Sequence, residues 1–173
     1  MLIALTGFMA SGKSSVGKAL AGRLCCPFTD LDSYIEERQG CSIPELFARG
    51  GEEYFRSLEL EALKEIVCSE EVTDSAGTGR SVLSLGGGTI LRAEAQDLLR
   101  GALKVYLKAS VPTVRLRLGD ALSKRPVLND ASVEDLLAAR APVYEACADI
   151  IVDVDDATPD VIASRIAMAV EYL

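Results

Sequence analysis

Histidine is missing from this chain of 173 residues, which rules out an imidazole base and any histidine metal ligand. A proton acceptor must then be a carboxylate, a lysine, a tyrosine or a cysteine. Tryptophan is missing as well, so ligand binding has to be followed by tyrosine emission, calorimetry or a label. Positive charge is scarce: 18 Lys and Arg stand against 26 Asp and Glu, a formal net charge of −8. That leaves no electrostatic footprint for nucleic acid or an anionic membrane surface. Cysteines are few, odd in number and irregularly spaced (Cys25, Cys26, Cys41, Cys68, Cys147), with no C-x-x-C. They suggest neither a disulfide framework nor a zinc site, and read as reduced thiols in a cytoplasmic protein. No apolar run approaches the about 18 residues of a membrane span. The apolar start Met1–Ala10 has no basic beginning and runs straight into a glycine loop instead of a cleavage site, so no secretory leader is expected.

What is present begins at that loop. Gly7 to Ser14 reads GFMASGKS, a match to G-x-x-x-x-G-K-S/T. The short apolar run Leu2-Ile3-Ala4-Leu5 precedes it, as a buried parallel strand would. Val16, Leu20 and Leu24 follow at helical spacing. Strand, glycine loop and helix are the context in which backbone N–H groups and a helix N-terminus cradle an anion. Lys13 adds a full positive charge, and the Ser14 hydroxyl is offered to Mg²⁺. The plain alternative is a glycine turn joining strand to helix. In an acidic protein holding a polyanion, each cation near this loop carries information.

Strand-like and helix-like segments alternate through the rest of the chain, which is 49% hydrophobic. Strands are predicted at Leu2–Thr6, Pro27–Thr29, Ser81–Leu85, Leu103–Leu107 and Ile150–Val154. The alternation predicts a three-layer α/β/α sandwich around a five-stranded parallel sheet, in one domain over residues 1–173. Helix starts are marked by the capping-box patterns Ser33-x-x-Glu36 and Ser42-x-x-Glu45, and by Ser110, Ser132 and Thr158. Cys68–Arg80 reads as a polar surface loop. Residues from about 30 to 61 carry too much helix for a minimal crossover and are predicted to form a flap beside the glycine loop. Residues from about 119 to 129 (GDALSKRPVLN) break the pattern where a closing lid belongs.

Several groups have the right chemistry around such a loop. Asp30 and Asp32, read as extended chain, project to one side and could both face phosphates. Phosphoryl transfer needs one acid near Mg²⁺ and another to orient the attacking hydroxyl; helix capping is the plainer role for the second. Gly86-Gly87-Gly88 follows the third strand at the end of the sheet where ligands sit. Arg56 and Arg140 by themselves read as solvated charges. Lys124-Arg125-Pro126 places an arginine in the loop segment, able to swing over a transferring phosphate.

Taken together the chain resembles the shikimate kinase family. GFMASGKSS resembles its P-loop, Asp30-Leu31-Asp32 its D-x-D and GGEEYFRSLE its G-E-x-x-F-R-x-x-E. LGGGT matches its triple glycine, KRPVL its R-P-L-L lid and RAPVY its R-x-P-L-Y. The resemblance implies ATP-dependent transfer of the γ-phosphoryl group to the 3-hydroxyl of shikimate, with Mg²⁺, in the pathway to chorismate and the aromatic amino acids. It implies a monomer in the cytoplasm with no nucleic-acid or membrane partner.

By the same resemblance Ala10, Ser11, Gly12, Lys13, Ser14 and Ser15 hold ATP, with Ser14 on the metal and Asp30 reaching it through water. Asp32 binds the substrate hydroxyls, Arg56 and Arg140 take the carboxylate, and Gly87 contacts the substrate through its backbone. Phe47 and Phe55 wall the pocket. Arg125 closes over the phosphates and, with Lys13 and Asp32, forms the catalytic set. Arg117 falls near a family arginine that stacks on adenine. The chain departs from the pattern at Ala10, commonly Gly, at Ser15, commonly Thr, and at Val127 and Val143, which replace leucines. A gluconate or nucleoside monophosphate kinase would share the loop but not both arginine motifs. A GTP switch would use Asp74-x-x-Gly77, yet no N-K-x-D accompanies it.

Overall fold

The computed structural model describes residues 1–69, 79–119 and 132–171. Strand β1 (Leu2–Thr6) leads into helix α1 (Lys13–Leu24); β2 (Phe28–Asp30) is followed at once by α2 (Leu31–Gln39) and α3 (Ile43–Cys68). Then come β3 (Ser81–Ser84), a 3₁₀ turn (Thr89–Leu91), α4 (Ala93–Leu98), β4 (Leu103–Lys108) and α5 (Val111–Leu118). The chain closes with α6 (Val133–Cys147), β5 (Ile150–Asp153) and α7 (Pro159–Glu171). The five strands are all parallel in the order β2-β3-β1-β4-β5. The predicted strands therefore form, with ends moved by a residue or so.

Burial explains the apolar strands. Ile3, Ala4 and Leu5 are fully buried, as are all four residues of β3, because helices cover both faces of a parallel sheet. Helices α1 and α7 pack together, as do α2 and α3. With β1 central, the loops after β1, β2 and β3 meet at the C-terminal end of the sheet, where a doubly wound sheet binds ligands. Among the described residues no helix is long and apolar enough to cross a membrane.

Two expectations about helix starts need correction. The cap of α2 is Asp30, whose carboxylate accepts from the Ser33 N–H at 3.3 Å, not Ser33. Glu36 instead accepts from the Ile43 N–H at 2.9 Å and ties α2 to the start of α3. Because the helix begins at residue 31, Asp30 and Asp32 do not share an extended strand: one ends β2 and the other sits in the first helical turn. The second capping box forms as predicted. The Glu45 carboxylate accepts from the Ser42 N–H and hydroxyl, each at 2.7 Å.

Helix α3 bends at Gly51, with φ 73° and ψ −169°, a conformation essentially reserved for glycine. The bend lets one element carry Phe47 before it and Phe55 and Arg56 after it toward the same cleft.

Candidate active site

The glycine loop ends in Gly12, a left-handed N-cap (φ 96°) with no side chain to bond the first amides of α1. Those amides are left for an anion. Lys13 Nζ donates to the carbonyls of Gly7 and Phe8, both at 2.9 Å, which draws the ammonium into the loop. Ala10 adopts φ 59°, a conformation that costs a residue bearing a β-carbon about 1–2 kcal/mol and explains why glycine suits this place. The Ser11 side chain is buried and has no hydrogen-bond partner, so only the backbone of Ser11 is available to a phosphate. A cavity of about 260 Å³ opens over the loop, bounded by Gly12, Lys13, Ser14, Asp30, Asp32 and Gly87 among others.

Ser14 Oγ donates to Asp30 Oδ2 at 2.5 Å across the floor of this cavity. Among the described residues no three carboxylate or thiol groups gather to form an all-protein metal cage. One hydroxyl beside one carboxylate is the sparse oxygen set that fits Mg²⁺, which keeps waters and takes its other ligands from phosphates.

A second cleft, of about 110 Å³, adjoins the first and shares Met9, Asp32 and Gly87 with it. Phe47 and Phe55 stack along one side with centroids 4.7 Å apart. Arg56 and Arg140 bring positive charge to it, Arg140 lying 5.8 Å over the Phe8 ring. An apolar wall with two guanidiniums suits a small carboxylated ring.

Asp32 stands where the cavities meet. Burial, with the like charges of Asp30 and Glu59 behind it, raises its pKa to about 6 against the pull of Lys13 and Arg56. A carboxylate poised there can accept a proton near neutral pH.

Glu59 closes the G-E-x-x-F-R-x-x-E match, and the sequence alone assigns it no role. It is 2% exposed, accepts from Arg56 Nη1 at 2.8 Å and from the Thr89 hydroxyl at 2.6 Å, and so fixes the arginine from behind. Burial works against the Arg56 charge, yet Glu59 and Glu52 leave its pKa above the usual value. A β-carbon at Gly88 would stand 2.4 Å from Arg56 Nη2, and one at Gly86 would stand 2.6 Å from Glu59 Oε1. The glycine turn is thus small because this ion pair lies against it.

Of the expected site residues, Ala10, Gly12, Lys13, Ser14, Ser15 and Asp30 line the first cavity, Arg56 and Arg140 the second, and Asp32 and Gly87 both, whereas Ser11 lines neither. Arg125, with Lys124 and the lid past Gly119, lies outside the described residues, as do Asp74 and Gly77. Arg117 donates to the carbonyls of Ala10 and Ser11 at 3.4 and 3.1 Å, and to that of Val154 at 2.8 Å. It pins the phosphate loop to the end of β5. Tyr144, also unassigned from sequence, donates its hydroxyl to the Gly87 carbonyl.

A phosphate loop at the end of a central parallel strand, opening through a carboxylate into an acceptor cleft, defines a P-loop kinase of small molecules. The chain belongs to the shikimate kinase family, whose model matches residues 9–171. It is 40% identical over 169 residues to the shikimate kinase of Dictyoglomus turgidum, spanning 95% of this chain and 94% of that protein. A shikimate kinase of Thermus thermophilus is 44% identical over 147 residues, 82% of this chain and 75% of that protein. The solved shikimate kinase of Acinetobacter baumannii, a complex with shikimate, aligns with a TM-score of 0.87 at 30% identity, over 99% of this chain and 93% of that one. The chain is accordingly an ATP-dependent, Mg²⁺-requiring phosphotransferase with an alcohol group as acceptor.

Proposed function

We propose that the two cavities hold the two substrates of one transfer, from the γ-phosphate of ATP to the 3-hydroxyl of shikimate, within a single kinase domain. The placement of Asp32 at their junction carries this reading. The amides from Gly12 to Ser15 and the Lys13 ammonium receive the phosphates, Lys13 exchanging its loop carbonyls for phosphate oxygens. Ser14 and Asp30 hold Mg²⁺, which when bound neutralises charge on the phosphate oxygens. Arg56 and Arg140 take the carboxylate, Phe47 and Phe55 wall the ring, and Gly87 offers its backbone. Asp32 orients the attacking hydroxyl and accepts its proton. A loose transition state asks mainly for such positioning and for positive charge, to which Arg125 contributes.

We also place the protein in the cytoplasm as a monomer, with no nucleic-acid or membrane partner; its five cysteines are all free thiols, as a reducing compartment keeps them. A coupled ADP-release assay with shikimate, gluconate and nucleoside monophosphates side by side tests the substrate. ADP release is expected with shikimate and not with the others; none above background with shikimate sinks the reading.

A further inference from the structure

The two arginines assigned to the carboxylate are not equally ready for it. Among the described residues no ion pair involves Arg140. Arg56 has two. Its Nη1 donates to Glu59 Oε2 at 2.8 Å, while Nε and Nη2 share a single oxygen of Glu52, Oε1, at 3.4 and 3.3 Å. The Nε–Nη2 edge of a guanidinium is a fork that a carboxylate fills with two parallel bonds. Glu52 fills it poorly, with one oxygen and with bonds longer than the usual distance of about 2.9–3.0 Å.

Charge makes the consequence countable. Arg56 with Glu52 and Glu59 carries −1, and Arg140 brings the group to zero. A substrate carboxylate added there would complete a net negative cluster. With Glu52 withdrawn, Arg56, Arg140 and Glu59 carry +1, which matches one carboxylate. Of the two acids only Glu52 is able to leave, its side chain being 62% exposed against 2% for Glu59. Leaving costs little, because an exposed i,i+4 pair is weak.

There is also somewhere to go. A third cavity, of about 240 Å³, is bounded by Glu52, Glu53 and Arg92, and shares Arg56, Gly88 and Arg140 with the acceptor cleft. Arg92 is held only by Glu53 at 3.2 Å and Glu94 at 3.7 Å, both exposed, in pairs as weak as the one Glu52 would give up.

We infer that Glu52 holds the place of the substrate carboxylate on Arg56, that the substrate displaces it, and that Glu52 crosses the third cavity to Arg92. Affinity for the acceptor is then set partly by a residue that does not bind it. An idle surface ion pair would show the same exposure and the same long bonds. It would not fill the open edge of a guanidinium assigned to the carboxylate. The inference rests on the assignment of Arg56 and Arg140 to the acceptor.

Glu52→Gln keeps the shape of the side chain and removes its charge. Calorimetric titration of the intact protein should show the Kd for shikimate lowered about twofold to fivefold, the gain from sparing an exposed ion pair. The Kd for MgATP should stay within about twofold of wild type. Arg92→Gln removes the receiver, so Glu52 stays on Arg56 and the Kd for shikimate should rise about twofold or more. In the Glu52→Gln background the same change should have almost no effect, because no carboxylate is left to receive.

A shikimate Kd unchanged or raised in Glu52→Gln overturns the inference, since removing a glutamate that merely steadied Arg56 would weaken binding. Arg92→Gln without effect, or with an equal effect in both backgrounds, overturns it as well. Should Arg92→Gln fail to fold, a crystal structure of wild type with shikimate decides. The substrate carboxylate is expected on Nε and Nη2 of Arg56, with Glu52 turned to Arg92; Glu52 still on Arg56 overturns the inference. An Arg140→Ala protein with unchanged shikimate Kd removes the acceptor assignment itself, and this inference with it.

Discussion

At Asp32 the fold holds a carboxylate against burial and two like charges, and its raised pKa states what that costs. A carboxyl that binds its proton more tightly folded than unfolded destabilises the fold once it must ionise. The penalty is absent below about pH 4, grows between about pH 4 and 6, and is complete above that. Asp32→Asn should therefore melt higher than wild type at pH 7 by the equivalent of about 3 kcal/mol, with the gap closing toward pH 4. Thermal melts without ligand across that range check it. The same substitution should lower kcat by about 10²–10⁴, the usual contribution of a positioned base, while leaving the affinity for ATP within about twofold. In wild type kcat/KM should fall below about pH 6 as the base protonates. A variant both inactive and less stable would mean that Asp32 is a structural residue.

At the scale of elements, α3 shows how a bend serves a cleft. Nothing lies within 4 Å of a β-carbon built at Gly51, so Gly51→Ala acts on the backbone alone. Its conformation costs other residues about 1–3 kcal/mol, and relief requires straightening the helix, which parts Phe47 from Phe55. The variant should lose about that much stability in denaturant titrations and raise the KM for shikimate, with ATP affinity unchanged. The layout of elements was legible because apolar strands alternate with periodic helices, and the glycine loop was legible because its neighbours are. The start of α2 was not. Asp30, Asp32 and Ser33 all have capping chemistry, and only the fold shows that the helix begins one residue after the strand. Asp30 therefore caps α2 with one carboxylate oxygen and accepts from Ser14 with the other. Glu59, Tyr144 and the contacts of Arg117 were hidden for a related reason. Each takes its meaning from a partner distant in sequence, as Thr89 is to Glu59, Gly87 to Tyr144 and Ala10 to Arg117.

Over the whole molecule, two anionic ligands bind a protein whose net charge is −8, so local cations must outweigh a repulsive background, and each ligand's grip should be separable. A ligand that binds only the folded state stabilises it by about 2.7 kcal/mol at a hundred times its Kd. For a chain of this size that is about 5–10 °C in Tm. Wild type should show such a shift with MgATP and another with shikimate. Arg140→Ala should keep the first and lose most of the second, because Arg140 borders the acceptor cleft and not the cavity over the phosphate loop. Chelating Mg²⁺ should shrink the ATP shift alone, since only Ser14 and Asp30 are assigned to the metal. Differential scanning fluorimetry on the two proteins, with each ligand and with EDTA, reads all of these. Equal loss of both shifts in Arg140→Ala would show that the arginine supports the fold of the whole site, not one ligand in it.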